Sequence, residues 1–416
     1  MDDKIALVPL MSTLHDGGSV QEVISKYRTW LSGLVDVELQ PVAEPGVIYT
    51  LDLKKLAGIL ILVITGGTEK LIRSVASLGK PVLVLAHESM NSLPAALEAL
   101  PAIDELHPPS LALGQNNVEL DKVRHFIKAS RTLAHIRNSR LGLIGGASPW
   151  LIYSIPDKRS LFRNLGIKLV DIPMSEFKKE YSRSNKELIK ELAEKARLKA
   201  SASDEITLRD FMKSVGVYLA VKKLIERHSL TAVTIRCFDF ISDLRATGCY
   251  AVSILNDEGF VAGCEGDVPA AAAMITLAEA SGRPTFLANP AVVKGHRIVL
   301  VHCTISPVLT MRFKYRTHFE SRLGVAISGE LKKDERVTIA RYNKTLTLLR
   351  CGEGTIVKGE AWSEELCRTQ AEVRMDGDAE IIKERPLGNH YVMTYGEHAD
   401  ALKEVASLAG IDFEEI

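Results

Sequence analysis

Two carboxylates stand one residue apart in the stretch AGCEGDVPAA, which covers residues 262–271. Glu265 and Asp267 follow the strand-like run GFVAGC and precede a helix that starts near Pro269, because proline is favoured in the first turn of a helix. Asp267 is a good N-cap residue, whereas glutamate is a poor one. Asp267 is therefore either this cap or a functional group of its own. Glu265 is either solvated or functional, and its place at a strand end favours the functional interpretation.

Alternating strands and helices must position these acids. From Lys4 to about Lys128, short runs rich in Val, Ile and Leu, such as KIALVPL and KPVLVLAH, alternate with amphipathic segments. This pattern is typical of βαβ units with a parallel sheet. After a long charged helix the pattern resumes at RLGLIGG, so we predict a second α/β domain that carries the two acids. Ligands of such sheets bind at the carboxyl ends of the strands.

The last part of the chain has a different sequence pattern. From about Gly295 the segments are short, β-branched and punctuated by Gly and Asp, as in RIVLVHCTIS and ERVTIARYN, which indicates antiparallel strands. We therefore predict an α/β fold with two tandem doubly wound parallel-sheet domains, followed by a β-rich, barrel-like C-terminal domain with a terminal helix. The predicted domains are 1–138, 139–294 and 295–416.

The composition argues against several classes of protein. Lys plus Arg equals Asp plus Glu at 52 each, so no net field attracts nucleic acid or an anionic membrane. The longest apolar run, LAGILILVITGG, is too short to span a bilayer, and the start MDDKIALVPL is unlike a signal peptide. The six cysteines lack any Cys-x-x-Cys spacing, which favours reduced thiols. These features predict a cytoplasmic protein with a small-molecule partner.

Several motifs carry a family resemblance along nearly the whole chain. In order they are TGGTE, LIGGASPWLI, TIRCFDF, LNDEGFVAGCEGDVPAAAAMITLAEASGRPTFLANP, ERVTIARYN and GNHYVMTYGEHADALKEVASLAGI. They resemble the L-fucose isomerase and L-arabinose isomerase superfamily, and most closely the fucose-isomerase-like proteins common in archaea. The resemblance implies an aldose–ketose isomerase with a divalent metal, typically manganese, and a homo-oligomer, either a trimer or a hexamer.

The family holds its metal with two carboxylates and a histidine. By resemblance, the first carboxylate falls on Glu265 and the histidine on His390, in GNHY. The second carboxylate should follow RPTF, where this chain has Asn289. An amide oxygen can ligate a metal, but it carries no charge and accepts no proton. The resemblance thus implies Glu265, Asn289 and His390 as metal ligands, with weaker metal binding than two carboxylates would give.

Isomerisation of an aldose moves the carbonyl from C1 to C2 by removing a carbon-bound proton and returning it to the neighbouring carbon. A base and an acid must therefore flank the sugar. A hard divalent cation can hold both sugar oxygens and stabilise the enediolate. Because Asn289 cannot accept a proton, we predict catalytic roles for Glu265, Asp267 and His302, the last in VLVHCTISP.

Three further residues are predicted to bind the sugar. Ser148 and Trp150 follow a predicted strand in LIGGASPWLI, and Asn389 adjoins His390. An indole can stack on a sugar ring, although a tryptophan packed between domains would fit this position equally well. The leading hypothesis is a metal-dependent aldose–ketose isomerase. The missing carboxylate leaves open a non-catalytic sugar-binding or regulatory homologue, and a metal-dependent epimerase or lyase.

Overall fold

A computed structural model of the chain describes residues 3–14, 17–49, 52, 55–104, 110–155 and 157–416. The chain divides into two compact units, and each is described by itself. The first comprises Met1–His135 and Lys403–Gly410, and the second comprises Ile136–Leu402 and Ile411–Ile416. Among the described helices, none combines the length and the apolar character that crossing a membrane would require.

The first unit is built on a five-stranded parallel sheet with strand order β2-β1-β3-β4-β5. Every residue of the central strand LAGILILV is buried, as expected where helices cover both faces of a parallel sheet. The strands are β1 (Lys4–Leu10), β2 (Val37–Glu38), β3 (Leu56–Val63), β4 (Val82–Ala86) and β5 (Ser110–Leu113). The helices are α1 (Gly17–Trp30), α2 (Pro45–Ile48), α3 (Glu69–Ala76), α4 (Ser92–Asp104) and α5 (Asn117–Arg137).

The second unit contains a four-stranded parallel sheet, whose strands are β6 (Arg140–Ile144), β7 (Lys168–Ile172), β8 (Ala232–Ile235) and β9 (Val261–Cys264). Its helices are α6 (Lys158–Leu165), α7 (Met174–Arg183), α8 (Lys186–Arg197), α9 (Leu208–His228), α10 (Asp239–Leu244), α11 (Cys249–Asp257) and α12 (Val268–Ser281). The strand order is β7-β6-β8-β9, so β7 lies on one side of β6 and the later strands β8 and β9 lie on the other. Such a reversal of the strand order opens a crevice at the carboxyl ends of the strands.

The same unit also contains an antiparallel barrel of six strands. They are β10 (Phe286–Lys294), β11 (Arg297–His302), β14 (Arg336–Tyr342), β15 (Leu348–Lys358), β16 (Thr369–Met375) and β17 (Tyr391–Tyr395). Pairing of β14 with both β17 and β15 closes the barrel. The other strands and α-helix of this unit are β12 (Arg312–Arg316), β13 (Ala326–Glu330), α13 (Ile381–Glu384) and β18 (Asp412–Glu415). Helix α14 (Ala399–Ala409) begins in this unit, and its residues from Lys403 onwards belong to the first unit. The predicted fold class, two parallel sheets and a β-rich barrel, is confirmed.

Helix α12 connects the parallel sheet of the second unit to the barrel. Its sequence VPAAAAMITLAEAS is small or apolar on nearly every side, which is typical of a fully buried helix. It contacts β8 and β9 as well as β14 and β17. Because α12 begins directly after Asp267 and also contacts β17, it brings the turn after β9 close to His390, which directly precedes β17.

Candidate functional site

The turn after β9 holds Glu265 in an unusual backbone conformation. Its φ angle is +62°, in the left-handed region that residues other than glycine seldom occupy. The next residue, Gly266, has no room for a side chain, since a Cβ there would lie 2.3 Å from the carbonyl oxygen of Gly146. Backbone of this kind persists only where the surroundings hold it in place, and it concentrates at functional sites.

The loop after β6 holds both the backbone and the side chain of Glu265. The backbone N–H of Ser148 donates to the carbonyl oxygen of Glu265 at 2.9 Å. The indole N–H of Trp150 donates to Glu265 Oε2 at 2.8 Å. The Trp150 ring also meets the ring of Phe238, which follows β8, edge-on at 4.7 Å. The loops after β6, β8 and β9 therefore converge on Glu265 at the carboxyl edge of the sheet.

His390, directly before β17, is fully buried and lies beside both acids of the opening stretch. Its Nδ1 bonds to Asp267 Oδ2 at 2.9 Å. Its Nε2 is 3.5 Å from Glu265 Oε1 and has no hydrogen-bond partner within the described residues. A histidine with one nitrogen held by a carboxylate and the other free has the arrangement of a metal ligand.

Asp267 lies behind His390, fully buried, and both of its oxygens are engaged. Oδ1 accepts the backbone N–H of Ala270 at 2.9 Å and so caps α12. Oδ2 accepts from His390 Nδ1 and also from Arg341 Nη1, at 2.8 Å. This carboxylate is placed to orient the imidazole.

Arg341, on barrel strand β14, is the buried cation that accompanies Asp267. Its side chain has no exposed area. Besides the contact with Asp267, its Nε donates to the carbonyl oxygen of Leu387 at 3.0 Å and its Nη2 donates to Ser154 Oγ at 2.7 Å. The guanidinium thus fixes Asp267 in a position that the helix cap alone would not determine.

His302, at the end of β11, completes a cluster with Glu265 and His390. Its Nδ1 forms a hydrogen bond with the Thr304 hydroxyl at 2.8 Å, which leaves Nε2 for a ligand. Its ring lies 5.8 Å from the His390 ring, at an angle of 69°. Each of the three residues offers one ligand atom, and these atoms lie within 4.8 Å of one another.

The three residues of this cluster differ in pKa and therefore in charge. Burial alone would lower the pKa of His390, but its hydrogen bond to Asp267 and the nearby negative charge of Glu265 raise it to about 9. Burial would raise the pKa of Glu265, but His390 and then Trp150 lower it to about 2. Burial, followed by the charge of His390, lowers the pKa of His302 to about 3. Near neutral pH, Glu265 is therefore an anion, His302 is neutral and His390 is a cation.

The donor set fits a divalent transition metal. One carboxylate oxygen and two imidazole nitrogens are donors that manganese, iron and zinc all accept. The most direct sign is the buried Nε2 of His390, which faces Glu265 and has no hydrogen-bond partner in the part of the chain that the structure describes. Asp267 behind His390 and Thr304 behind His302 supply the outer contacts that orient metal-ligating histidines.

Metal binding should release a proton from His390. At pH 7 this histidine, with its pKa raised to about 9, must lose its Nε2 proton to ligate, whereas His302 and Glu265 are already deprotonated. We expect about one proton per metal ion, and an affinity that rises with pH until about pH 9. Calorimetry in buffers of different ionisation enthalpy measures this release. An affinity independent of pH between 6 and 8 would contradict the assignment.

A cleft of about 540 Å³ opens beside Glu265, and its described lining is Trp150, Phe238, Glu265, Asn289, Pro290, Glu320 and Asn389. Three of the residues predicted from the sequence, Trp150, Asn289 and Asn389, therefore lie together with Glu265. The two amides contact each other, with Asn389 Nδ2 donating to Asn289 Oδ1 at 3.4 Å. Ser148 is buried, and its hydroxyl has no hydrogen-bond partner among the described residues.

Two charged residues of the site have no counterpart in the sequence analysis. Arg341 stands within the motif ERVTIARYN, yet a single arginine in a strand-like run gave no sign that it would be buried. Glu320 stands in the segment RTHFESRLG, which has neither periodicity nor a known motif. Their placement depends on the closure of the barrel and on a long loop.

No family model matches the chain. The sulfoquinovose isomerase of Priestia aryabhattai is 25% identical over 325 residues, which cover 74% of this chain and 71% of that protein. The sulfoquinovose isomerase of Clostridium sp. (strain MSTE9) is 20% identical over 359 residues, 81% of this chain and 79% of the relative.

These relatives bear on the resemblance inferred from the sequence. All three similar proteins found are sugar isomerases by name, so the prediction of an isomerase is confirmed. The more specific resemblance to the fucose isomerase branch, and to its archaeal members, has no counterpart among them. The chain is thus similar to sugar isomerases over most of its length.

Proposed function

We propose that this protein is a metal-dependent aldose–ketose isomerase that acts on an open-chain sugar through an enediol. The observation that carries the proposal is the cluster of Glu265, His302 and His390, which lies at the carboxyl edge of a parallel sheet with Glu265 lining the adjacent cleft. The similarity to enzymes named sugar isomerases supports the reaction class.

The metal, which we propose is Mn²⁺, would be held by Glu265, His302 and His390. When bound, it would supply a positive charge that holds the sugar oxygens and stabilises the enediolate. Trp150 fixes one oxygen of Glu265 and leaves Oε1 on the side of His390. Asp267 keeps the Nδ1 of His390 engaged, so that Nε2 is the nitrogen available for coordination. We therefore assign Asp267 a positioning role.

The amides of Asn289 and Asn389 are proposed to bind the sugar hydroxyls. Each amide offers both a donor and an acceptor, and both line the cleft beside Glu265. Asn289 can in addition turn its oxygen towards a metal, as predicted from its place in the family pattern. The ring of Trp150, about half exposed at 48%, gives the sugar an apolar wall.

A catalytic site is favoured over a site that only binds sugar. Because Asn289 cannot accept a proton, catalysis needs another group that can transfer one, and a second carboxylate, Glu320, lines the cleft. His302, whose pKa is lowered to about 3, is a poor proton acceptor at neutral pH and is better suited to ligation. A sugar-binding protein would not require a carboxylate in this position.

We propose an uncharged aldose, of which L-fucose is the first candidate, as the substrate. Within the described part of the chain, no lysine or arginine lines the cleft, whereas two carboxylates do. The similar proteins are named for sulfoquinovose, whose sulfonate carries a fixed negative charge. A sulfonate inside this lining would meet acids without a lysine or arginine from the described lining to pair with it, so it would have to extend beyond the lining.

A substrate panel tests this proposal. Neutral pentoses and hexoses, together with sulfoquinovose, are incubated with the protein, with and without Mn²⁺, and ketose formation is measured. We expect ketose from at least one neutral aldose, with turnover lost after chelation and restored by the metal. Turnover of sulfoquinovose alone would contradict the uncharged substrate. Epimer or cleavage products in place of ketose would identify the alternative chemistry.

We propose that the protein works in the cytoplasm. All six cysteines are free, which is in keeping with a reducing compartment such as the cytoplasm. A homo-oligomer, trimeric or hexameric, follows from the resemblance in sequence and can be measured by light scattering.

A further inference from the structure

We propose that Glu320 is the group that takes the proton from C2 of the sugar and returns it to C1, in place of the carboxylate that this chain lacks at Asn289. This inference rests on the proposed isomerase function and extends it to a residue that no motif identified. Three observations carry it: the place of Glu320 in the cleft, its freedom from other described partners and the backbone hydrogen bonds of its loop.

The first observation is position. Glu320 lines the same cleft as Glu265 and Asn289, but it comes from the loop between β12 and β13, far from both in sequence. It remains accessible to solvent, as a group that meets a substrate must be. An edge-on contact at 5.5 Å joins the ring of His318, two residues before Glu320, to Phe238. The cleft thus has Glu265 in one wall and Glu320 in another.

The second observation is that the Glu320 carboxylate is not engaged by other described residues. The Glu320 carboxylate makes no hydrogen bond or ion pair with any described residue, whereas one Glu265 oxygen is held by Trp150 and the other lies beside His390. Burial, and after it the negative charge of Glu265, raises the pKa of Glu320. A carboxylate whose basicity is increased accepts a carbon-bound proton better than a metal ligand whose pKa is lowered to about 2.

The third observation is that backbone hydrogen bonds hold the loop. The backbone N–H of His318 donates to the carbonyl oxygen of Leu323 at 3.0 Å, and the N–H of Arg322 donates to the carbonyl oxygen of His318 at 3.0 Å. These bonds close a tight loop with Glu320 at its centre. A proton-transfer group needs such a fixed position, because small displacements greatly reduce the rate.

Phe319 anchors this loop to the core beneath it. Its ring packs against the buried side chains of Cys249, Cys303 and Ala326. The guanidinium groups of Arg322 and Arg368 lie 5.7 Å and 5.8 Å from the ring centre. Phe319 is partly buried at this contact, and the adjacent Glu320 lines the cleft.

The proposed step conserves atoms and electrons. The Glu320 carboxylate removes the proton from C2, and the electron pair of the C2–H bond forms the C1–C2 double bond while the carbonyl oxygen at C1 becomes an enediolate oxygen. The O2 proton moves to O1. The C2–O2 double bond then forms as C1 takes the proton back from Glu320. No oxidant or reductant is required, and the carboxylate is regenerated.

Three substitutions of Glu320 test the role. Glu320→Gln keeps the size of the side chain and removes the base, so we expect kcat to fall about 10²–10⁴-fold, the usual contribution of a general base. Metal affinity, measured by calorimetry, should stay within about twofold, since Glu320 is not a ligand. Glu320→Asp should recover part of kcat. Formate added to Glu320→Ala should restore turnover in proportion to its concentration.

Exchange of the C2 proton in D₂O provides an independent measurement. The wild type should incorporate deuterium into the sugar, and Glu320→Gln should lose this exchange along with turnover. Glu384→Gln, on the short helix α13 and outside the cleft lining, serves as the matched control and should behave as the wild type. Circular dichroism establishes that each variant is folded.

The outcomes separate this inference from the proposed function. If the wild type forms ketose and Glu320→Gln does so at the same rate, the role of Glu320 is refuted and the isomerase stands. If Glu320→Gln loses turnover but formate never rescues Glu320→Ala and C2 exchange persists, Glu320 is not the base. If the wild type forms no ketose from any sugar of the panel, the proposed function and the role of Glu320 are both overturned.

Discussion

Glu265→Gln is expected to abolish metal-dependent ketose formation while the protein stays folded. The substitution keeps the size of the side chain and an oxygen that can accept from the Trp150 indole, but it removes the negative charge beside His390. A metal contributes several kcal/mol of transition-state stabilisation, and its loss corresponds to a fall in kcat/KM of about 10³-fold or more. Metal affinity, measured by calorimetry, should fall together with turnover.

The pKa of His390 provides a second check on this variant. Glu265 is one of the two acids that raise the pKa of His390, so its neutralisation should lower that pKa from about 9. NMR titration of the metal-free variant would measure the change. Glu384→Gln should leave both the titration and the activity as in the wild type. Unchanged turnover in Glu265→Gln would refute the metal site.

The secondary-structure elements were predictable because local hydrophobic patterns in the sequence indicate them. Fully apolar runs such as LAGILILV indicated parallel strands covered on both faces, and the structure has β3 there with every residue buried. The apolar helix predicted at VPAAAAMITLAEAS is α12, which is buried between the parallel sheet and the barrel. In both cases the sequence pattern reflects burial directly, so no knowledge of distant contacts was needed.

Strand pairing was less predictable. The run RPTFLA, next to the last predicted α/β helix, was expected to continue the second α/β region, but β10 pairs antiparallel with β11 and β17 in the barrel. A short apolar strand looks the same in either sheet, and only the long-range partner differs. Asn289 consequently reaches the cleft from the barrel, while Glu265 reaches it from the parallel sheet.

The residues of the candidate site also differ in whether a local sequence pattern or a long-range contact determines their position. Glu265 could be singled out because a strand end before a helix is a local signal, and His390 was identified through its motif. The proximity of His302 to both follows from the position of β11 in the barrel, and the burial of Arg341 follows from its position on β14 against α12. Contacts of this kind depend on register and closure, which a single sequence does not encode in any short stretch.

Arg341→Met is expected to destabilise the protein more than any surface substitution. The Arg341 and Asp267 side chains have no exposed area, and removal of the guanidinium leaves a buried carboxylate with only His390 opposite it. Breaking a buried ion pair in this way costs about 3–5 kcal/mol of unfolding free energy. Chemical denaturation measures the change. A loss below about 1 kcal/mol would contradict the importance of the pair.

Arg336→Met is the matched control, because Arg336 lies on the same strand and pairs with acids at the surface. Pairs of this kind contribute about 1 kcal/mol or less. Combining Arg341→Met with Asp267→Asn should restore much of the stability, since no buried charge is left unpaired and asparagine still caps α12. The metal affinity of this double variant should be lower than that of the wild type, because His390 would then be held by a neutral amide. Stability and metal binding would thus separate in a single pair of residues, which is the expected behaviour if Asp267 serves to position the histidine.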